Sequence, residues 1–347
     1  MQNNKVLTIA IPTFNMENYI ARCIESLLIK ESFQLLQIII VNDGSRDRSS
    51  HIAHEYADKY PCSIVVIDKD NGNYGSCINA AIQVASGKYI KILDSDDYFN
   101  TSELGKVVKR LKDCDSDAIL TNHTIITPKN KHIWKHNYID GQCIMLEKEC
   151  PSYFPMHSII YRTSMLREMN YSQTEGISYT DQEWIFYPML NASQMVYMDL
   201  NLYQYCLDRV GQTMDPKVFA KRLPMLYTIL FRALDYRNAH AFENNASRIS
   251  YCDMQLFKQA ETIYRQELIY NSRVGEMLSE LDLKIKEINP TLYNELDSLS
   301  IGFRKYVDHF RKTGCGISII DRHTIKIQCK IINLLTAIRN RINRIYG

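Results

Sequence analysis

An apolar run leads into three acidic residues in the stretch Tyr89-Ile90-Lys91-Ile92-Leu93-Asp94-Ser95-Asp96-Asp97. Short runs of this composition are typical of buried β-strands. Because side chains alternate along a strand, Asp94 and Asp96 are predicted to point the same way, where their charges repel unless a cation lies beside them. Mg²⁺ and Mn²⁺ prefer such oxygen ligands. The alternative is a helix cap followed by an acidic first turn near residues 101–103, and the acidic triplet alone does not decide between the two.

Strand-like and helix-like segments alternate in the sequence before this stretch. Strands are predicted at Val6 to Ile11, Leu36 to Val41, Ser63 to Asp68 and Tyr89 to Leu93, and helices within 17–30, 49–60 and 76–86. This alternation indicates βαβ units, an α/β fold and a parallel sheet covered on both faces. Polar segments follow three of the strands, at 12–15, 42–45 and 94–97. Because the carboxyl ends of parallel strands lie along one edge of a sheet, we expect these segments to meet there and bind a ligand.

Composition excludes several classes of protein. With 41 Lys and Arg against 39 Asp and Glu in 347 residues, the chain lacks the basic excess of a dedicated nucleic-acid binder. Its ten cysteines form no Cys-x-x-Cys pair, which argues against a zinc cluster or a small disulfide scaffold. No long apolar signal core opens the chain, and the run Leu35 to Val41 is too short to cross a bilayer. The sequence therefore predicts a soluble cytoplasmic protein, and its length favours about two domains.

Several motifs in the first 100 residues resemble those of family 2 glycosyltransferases of the GT-A fold. They are Ile11-Pro12-Thr13-Phe14-Asn15, Val41-Asn42-Asp43-Gly44-Ser45, Asn71-Gly72-Asn73-Tyr74-Gly75 with Asn79, Ser86-Gly87-Lys88, and Leu93-Asp94-Ser95-Asp96-Asp97. Their order is that of the family, which makes the resemblance stronger than any single motif. It implies a GT-A type, mostly parallel sheet flanked by helices, with a Rossmann-like nucleotide-binding half. It also implies an inverting transferase that takes a sugar from a nucleotide diphosphate, usually UDP, with Mn²⁺ or Mg²⁺.

The resemblance assigns roles to individual residues. Phe14 would stack on the base, Asp43 would accept a hydrogen bond from the uracil N–H, Asp94 would contact the ribose and Asp96 would bind the metal. A carboxylate only accepts hydrogen bonds, and uracil offers a ring N–H where cytosine does not. Asp43 has the alternative role of capping the helix near Ser49, for which Asp47 is the better candidate. The remaining residues that the resemblance places in the nucleotide-sugar site are Pro12, Asn15, Asn71, Gly72, Asn79 and Ser95.

Among these, Gly72, together with Gly75, would let the backbone approach the donor. Asn71 and Asn79 would offer amides either to the sugar or to the loop that contains the glycines.

Inversion requires a base that deprotonates the acceptor hydroxyl opposite the leaving group. The element Tyr179-Thr180-Asp181-Gln182-Glu183-Trp184 resembles the segment that carries this base in the family. We assign Asp181, with Glu183 as the rival and a helix-start carboxylate as the structural alternative. Arg209 follows a segment similar to one that closes the donor pocket in relatives, and would neutralise diphosphate charge. His157 resembles part of the acceptor side, although a lone histidine is more often structural.

The predicted domains are a glycosyltransferase domain at 1–215 and a helical domain at 216–347. Within the first, 1–100 would bind the nucleotide sugar and 101–215 would form the acceptor and catalytic part. Residues 322–347 carry six basic residues, no acid and an isoleucine-rich stripe at helical spacing. Such a helix is predicted to bind an anionic membrane, which would place the enzyme at the inner face of the plasma membrane. The competing account buries the stripe against residues 217–310 or against a second subunit in a homo-oligomer.

Three functions remain in view from the sequence. The leading one is glycosyl transfer to a hydroxyl acceptor on a surface polysaccharide, a teichoic-acid-type polymer or a lipid-linked glycan. A nucleotidyltransferase is the first alternative, but this class requires a Gly- and Lys-rich phosphate loop near the N-terminus, which residues 12–17 do not supply. A non-catalytic sugar-nucleotide-binding module is the second, and it predicts loss of Asp96 or Asp181, both of which are present.

Overall fold

The chain divides into two compact units in the computed structural model. One unit is formed by residues 1–215 with 242–252, and the other by residues 216–241 with 253–347. The structure describes residues 5–207, 216–240, 242, 245–270, 275–296 and 300–316. Arg209 and the segment 322–347, both singled out from the sequence, lie outside the described residues.

Strands and helices alternate in the first unit. In chain order they are β1 (Leu7–Thr13), α1 (Ile20–Glu25), β2 (Leu36–Asp43), α2 (Ser49–Lys59), β3 (Ile64–Lys69), α3 (Asn73–Val84), β4 (Tyr89–Ile92), β5 (Tyr98–Phe99), α4 (Thr101–Lys112), β6 (Ala118–Thr127), β7 (Asn130–Trp134), β8 (Cys143–Met145), β9 (Ile159–Arg162), α5 (Thr163–Glu168), α6 (Asp181–Asn191) and β10 (Gln194–Cys206). The four strands predicted before residue 94 are confirmed. Helix α1 is shorter than the predicted interval 17–30, and α3 begins at Asn73 rather than near residue 76.

The strands form a sheet whose order is β3-β2-β1-β4-β9-β6-β10-β5, with β7 beside β6 and β8 beside β10. The first half is parallel, because β1 pairs with both β2 and β4, and β2 with β3. The second half mixes directions, since β9 runs antiparallel to β4 and β6 while β6 and β10 are parallel. The chain moves outward from β1 through β2 to β3 and then returns to the other side of β1 as β4. This reversal is a topological switch point, where open α/β sheets form a ligand crevice.

The core of the first unit lies on both faces of the parallel strands. Every residue of β1 and of β4 is buried, as expected for strands covered by helices on both faces. Gly87, just before β4, permits a close approach to β1, because a Cβ at this position would lie 2.5 Å from the Thr8 backbone nitrogen. No larger residue fits there without moving β1, so the turn into β4 fixes where the acidic residues that follow it lie.

Helix α4 shows why the acidic triplet is not a helix cap. The Asn100 side chain caps this helix by accepting hydrogen bonds from the backbone N–H groups of Ser102 and Glu103. The helix buries one stripe at three- and four-residue spacing, made of Leu104, Val107, Val108 and Leu111. Capping is thus accomplished downstream, and the carboxylates of 94–97 are left for other partners.

From residue 216 onward the described elements are helical. They are α7 (Pro216–Ala239), α8 (Ala246–Arg265), α9 (Glu276–Ile288), α10 (Pro290–Glu295) and α11 (Ser300–Thr313). In this unit Arg311 pairs with the buried Asp282 at 2.9 Å and lies over the ring of Tyr293. None of the described helices has both the length and the apolar character required to span a membrane. The predicted helical C-terminal region is confirmed as far as it is described.

Candidate functional site

Polar segments follow three neighbouring parallel strands at the switch point, and two of these segments are joined directly. The Asn15 backbone N–H donates to the Ser45 hydroxyl at 3.0 Å, and the Arg46 backbone N–H donates to the Asn15 side-chain oxygen at 2.8 Å. These bonds join the segment after β1 to the segment after β2. Asn15 has a positive φ of 54°, which an asparagine tolerates better than most residues. Pro12 is buried within β1, opposite Val41, whereas the Phe14 ring is 44% exposed at the edge of this region.

Asp43 lies buried at the end of β2, where it organises the loop before α3. Its Oδ1 accepts hydrogen bonds from the Lys69 Nζ at 2.8 Å and from the Gly72 backbone N–H at 2.9 Å. The Asn71 amide in turn donates to the Asp43 backbone carbonyl at 2.9 Å. The capping alternative does not apply to Asp43, because Asp47 accepts from the Ser49 backbone N–H at the start of α2. Asp43 thus lies at the predicted nucleotide end of the sheet, with one carboxylate oxygen occupied by the protein.

Two residues of α3 that the resemblance relates to the donor, Gly75 and Asn79, contact the segment 173–175. A Cβ at Gly75 would lie 2.2 Å from the Thr174 carbonyl oxygen, so this glycine admits a neighbouring backbone. The Asn79 amide donates to the Gln173 carbonyl at 3.0 Å, and its oxygen accepts from the Gln173 N–H at 2.8 Å. The structure therefore places Asn79 against the segment 173–175, which neither of its two predicted roles named, and its predicted contact with the sugar stays a prediction. The approach of the donor to Gly75 stays a prediction, and Thr174 fills the space that a Cβ at this position would take.

The acidic residues 94–97 form a turn at the end of β4. The Asp97 backbone N–H donates to the Asp94 carbonyl at 3.0 Å, which closes the turn. The Tyr74 hydroxyl donates to the Asp94 carboxylate at 2.8 Å. Burial raises the pKa of Asp94 to about 7, and the negative charge of Asp96 adds to this rise. Burial also raises the pKa of Asp97 well above its usual range. Concentrated acidic groups with raised pKa values are what a cation would stabilise in the ionised form.

The donor set of the turn suits a divalent cation. Ligating atoms of Asp94, Asp97 and His157 lie within 4.8 Å of one another. Two carboxylates match the preference of Mg²⁺ and Mn²⁺ for oxygen, and the imidazole suits Mn²⁺ better than Mg²⁺. Asp96, the predicted metal ligand, lies in the same turn but does not belong to this group of three residues. Ser95, which was predicted to bind the nucleotide sugar, is buried. The assignment of the metal to Asp96 therefore stays a prediction.

His157 lies in the middle of the aromatic residues beside the turn. Its ring stacks on Tyr205 with centroids 4.1 Å apart and meets the Tyr203 ring edge-on at 4.8 Å. Burial lowers the pKa of His157 well below its usual range, so the imidazole is neutral at physiological pH. Among the described residues no hydrogen-bond partner meets its Nδ1 atom. The neutral imidazole therefore has a nitrogen that can take part in a hydrogen bond or bind a metal ion.

Asp181 begins helix α6, as the sequence predicts for a carboxylate at a helix N-terminus. Burial raises its pKa to about 6, although hydrogen bonds from its own N–H and that of Gln182 act in the opposite direction. Its charge also acts on Asp94 and on the hydroxyls of Tyr74 and Tyr153, which places it at the same end of the sheet as the acidic turn. A carboxyl whose pKa lies near 6 is ionised at neutral pH and still basic enough to take a proton.

Glu183, the rival for the base, has a different environment. It is 1% exposed, and its two carboxylate oxygens accept hydrogen bonds from the Thr174 backbone N–H at 2.6 Å and the Thr174 hydroxyl at 2.7 Å. The two acids therefore lie on different sides of α6. Glu183 ties the segment 173–175 to α6, and Asp181 lies close enough to the acidic turn for its charge to act on Asp94.

Comparison with known proteins supplies the family. The model for glycosyl transferase family 2 matches residues 8–185, which is half of the chain. This chain belongs to glycosyl transferase family 2. The matched region contains the polar strand ends, the acidic turn and Asp181. These parts of the site therefore lie within the part of the chain that the family shares. Membership favours glycosyl transfer over the nucleotidyltransferase alternative.

Individual relatives cover parts of the chain. An uncharacterised glycosyltransferase of Mycoplasma pneumoniae is 37% identical over 139 residues, which is 39% of this chain and 45% of that protein. The minor teichoic acid biosynthesis protein GgaB of Bacillus subtilis is 41% identical over 95 residues, 27% of this chain and 11% of that protein. The chain thus spans less than half the length of these curated relatives.

A solved structure matches over a greater length. The crystal structure of S. aureus TarS in complex with UDP superposes with a TM-score of 0.61 at 19% identity, covering 88% of this chain and 87% of that one. At this identity the similarity establishes the fold, which is the GT-A type predicted from the motifs.

Two contacts at the site were not predicted from the sequence of this family 2 member. Lys69 pairs with Asp43, and Tyr74 bonds to Asp94. Lys69 directly follows the third predicted strand, Ser63 to Asp68, and lies opposite Asp43 in the parallel register. Its position after that strand could therefore have indicated from the sequence that it lies near Asp43. Tyr74 lies within the motif 71–75 but was given no role, because its contact with Asp94 depends on how α3 packs on the sheet.

Proposed function

We propose that this chain is a metal-dependent inverting glycosyltransferase that moves a sugar from UDP to a hydroxyl acceptor. The observation that carries the proposal is the convergence of Asp43, the acidic turn and Asp181 at the switch point of one sheet. Asp43 reads the base, the acidic turn faces the ribose and the diphosphate, and Asp181 acts at the acceptor. TarS, which was crystallised in complex with UDP, has the same fold and supports UDP as the first donor to test.

The reaction follows from the chemistry of Asp181. The acceptor hydroxyl gives its proton to the Asp181 carboxylate as its oxygen bonds to the anomeric carbon. The bond between that carbon and the diphosphate oxygen breaks on the opposite face, and UDP departs with the electron pair. A bound divalent cation supplies positive charge for the departing diphosphate. Asp96 would hold this cation, together with Asp94, Asp97 and His157 beside it. The raised pKa of Asp181 makes the carboxylate a stronger base than an exposed aspartate.

Donor binding provides the direct test. Thermal unfolding of the full chain is followed with UDP, CDP, GDP and ADP, each with Mn²⁺, Mg²⁺ or EDTA, and then with a panel of UDP-sugars. We expect UDP with Mn²⁺ to give the largest rise in unfolding temperature, since a ligand that binds only the folded state stabilises it. Equal shifts for all four nucleotides would contradict the role of Asp43, and shifts of the same size in EDTA would contradict the metal.

The acceptor is proposed at the level of its class. The similarity to GgaB, a minor teichoic acid biosynthesis protein, supports a cell-envelope polymer or its lipid-linked precursor. Residues 322–347 are proposed to bring the enzyme to an anionic membrane, with each basic residue contributing roughly 1 kcal/mol close to the surface. Flotation with anionic and neutral vesicles, using the full chain and a form ending at Gly316, tests this. Equal flotation of both forms, or none with anionic vesicles at low salt, contradicts the membrane proposal.

A further inference from the structure

The acidic turn is joined to strand β10 by one tyrosine hydroxyl. Tyr203 accepts a hydrogen bond from the Asp94 backbone N–H at 3.1 Å and donates one to Asp97 Oδ2 at 2.7 Å. The second oxygen of Asp97 accepts from the Cys206 backbone N–H at 2.6 Å. The first and last residues of the turn are therefore fixed to the same strand. A phenol is suited to this position because its single hydroxyl both donates and accepts.

The Tyr203 ring is itself held in place. It is fully buried, and it packs edge-on against Phe99 at 5.6 Å and His157 at 4.8 Å between centroids. With the ring fixed, the hydroxyl has almost no positional freedom, since the side chain has only two rotatable bonds before it. The turn thus receives a rigid support rather than a flexible contact.

Asp96 lies between the two residues that Tyr203 holds. The backbone carbonyl of Asp96 is bound from the other side by the Arg22 guanidinium at 2.6 Å, and the same guanidinium lies over the Tyr98 ring at 4.9 Å. With its flanks and its carbonyl fixed, the direction of the Asp96 Cα–Cβ bond is set by the turn. We propose that Tyr203 is a positioning residue, whose hydroxyl sets the direction in which Asp96 presents its carboxylate to a metal-bound diphosphate. This inference rests on the proposed function.

Tyr197 is a matched control on the same strand. It is also fully buried in β10, but its hydroxyl meets Asn122 at 3.0 Å and Asp199 at 3.1 Å instead of the acidic turn. Tyr203→Phe and Tyr197→Phe each remove one buried, hydrogen-bonded hydroxyl. A loss of folding stability is thus expected of both variants, whereas a loss of positioning is expected only of Tyr203→Phe.

The test measures UDP affinity by calorimetry in Mn²⁺ and in EDTA, together with hydrogen exchange of a peptide covering 93–99. Tyr203→Phe should speed exchange in this peptide and weaken UDP binding in Mn²⁺ by about tenfold, the effect of losing one buried hydrogen bond. Binding in EDTA should stay within about twofold of wild type, because the variant leaves Asp43 and the predicted uracil-binding end of the site unchanged. Tyr197→Phe should change neither affinity.

Each other outcome has a definite meaning. The inference would be overturned if Tyr203→Phe bound UDP in Mn²⁺ as tightly as wild type while hydrogen exchange at 93–99 became faster. The turn would then be looser without any effect on metal-dependent UDP binding. Equal weakening of Tyr203→Phe in Mn²⁺ and EDTA would overturn it too, by showing a general loss of the site. If wild-type protein itself shows no Mn²⁺-dependent UDP binding, it is the proposed function that fails, and the inference falls with it.

Discussion

Replacing Asp181 with asparagine is expected to make the protein more stable and nearly inactive. The pKa of Asp181 rises from 3.8 to about 6 on folding, because burial disfavours the charged form. A change of roughly two units corresponds to about 3 kcal/mol, by which the ionised carboxylate disfavours the folded state at neutral pH. This exceeds the roughly 0.3–1 kcal/mol that an acid gains at an exposed helix N-terminus. Asp181→Asn should therefore raise the free energy of unfolding by up to about 3 kcal/mol above pH 7.

The sign of the effect fixes its pH dependence. Below about pH 4 the carboxyl is protonated in both states and carries no penalty, so wild type and Asp181→Asn should be equally stable. Between pH 4 and pH 6 the unfolded chain ionises first, and wild type loses stability relative to the variant. Above pH 6 the difference should be constant. Transferase activity should rise through pH 6 in wild type, since the base must be ionised, and should fall by about 10²- to 10⁴-fold in the variant.

Urea unfolding at pH 4.5, 6 and 7.5 provides the assay, with Glu183→Gln as the control on the same helix. That change removes an oxygen that accepts from Thr174, so it should destabilise the protein by about 1–3 kcal/mol at all three pH values. A stability difference for Asp181→Asn that is the same at pH 4.5 and 7.5 would refute the reasoning, because it would mean that this carboxyl is not held in an unfavourable charged form. Full activity of Asp181→Asn combined with an inactive Glu183→Gln would transfer the role of base to Glu183.

Three further predictions address other parts of the site. Gly75→Ala should destabilise the protein by about 1–3 kcal/mol in thermal unfolding, since its Cβ would meet the Thr174 carbonyl at 2.2 Å; Gly105→Ala in α4 has nothing within 4 Å and should instead stabilise by about 0.5–1 kcal/mol. Asp96→Ala should abolish donor turnover and the Mn²⁺-dependent part of UDP binding with unchanged circular dichroism, and full wild-type activity in EDTA would contradict the metal role. Asp43→Asn should weaken UDP binding about tenfold or more and CDP binding less, by calorimetry, because it removes the charged acceptor for the uracil N–H.

Much of the fold was predictable because it depends on local pattern. Short isoleucine-rich runs separated by helical intervals gave β1 to β4 close to their observed bounds, and the order of strands and helices required a parallel arrangement. Once the sheet was parallel, the meeting of residues 12–15, 42–45 and 94–97 followed from geometry. The mixed second half of the sheet had no such signal, because the partners of β6, β9 and β10 are distant in sequence and their segments have no simple period.

The roles within the site divide in the same way. The sequence by itself determined which residue types stand at the strand ends, and the motif order indicated the family. The roles of Asp43, Asp94, Asp96 and Asp181 that the resemblance implies stay predictions. The sequence left Asp181 and Glu183 as rivals, because two acids two residues apart look alike in a pattern.

Only the tertiary structure gave Asp181 and Glu183 different surroundings, by pairing the buried Glu183 with Thr174 and leaving Asp181 half-buried at the acidic end of the sheet. It also decided that Asn79 holds a loop, and that Tyr74 and Tyr203 support the acidic turn. The physical reason is that a pKa and a hydrogen bond depend on what surrounds a group in space. Those surroundings come from segments about 9 to 110 residues away along the chain, which no local pattern records.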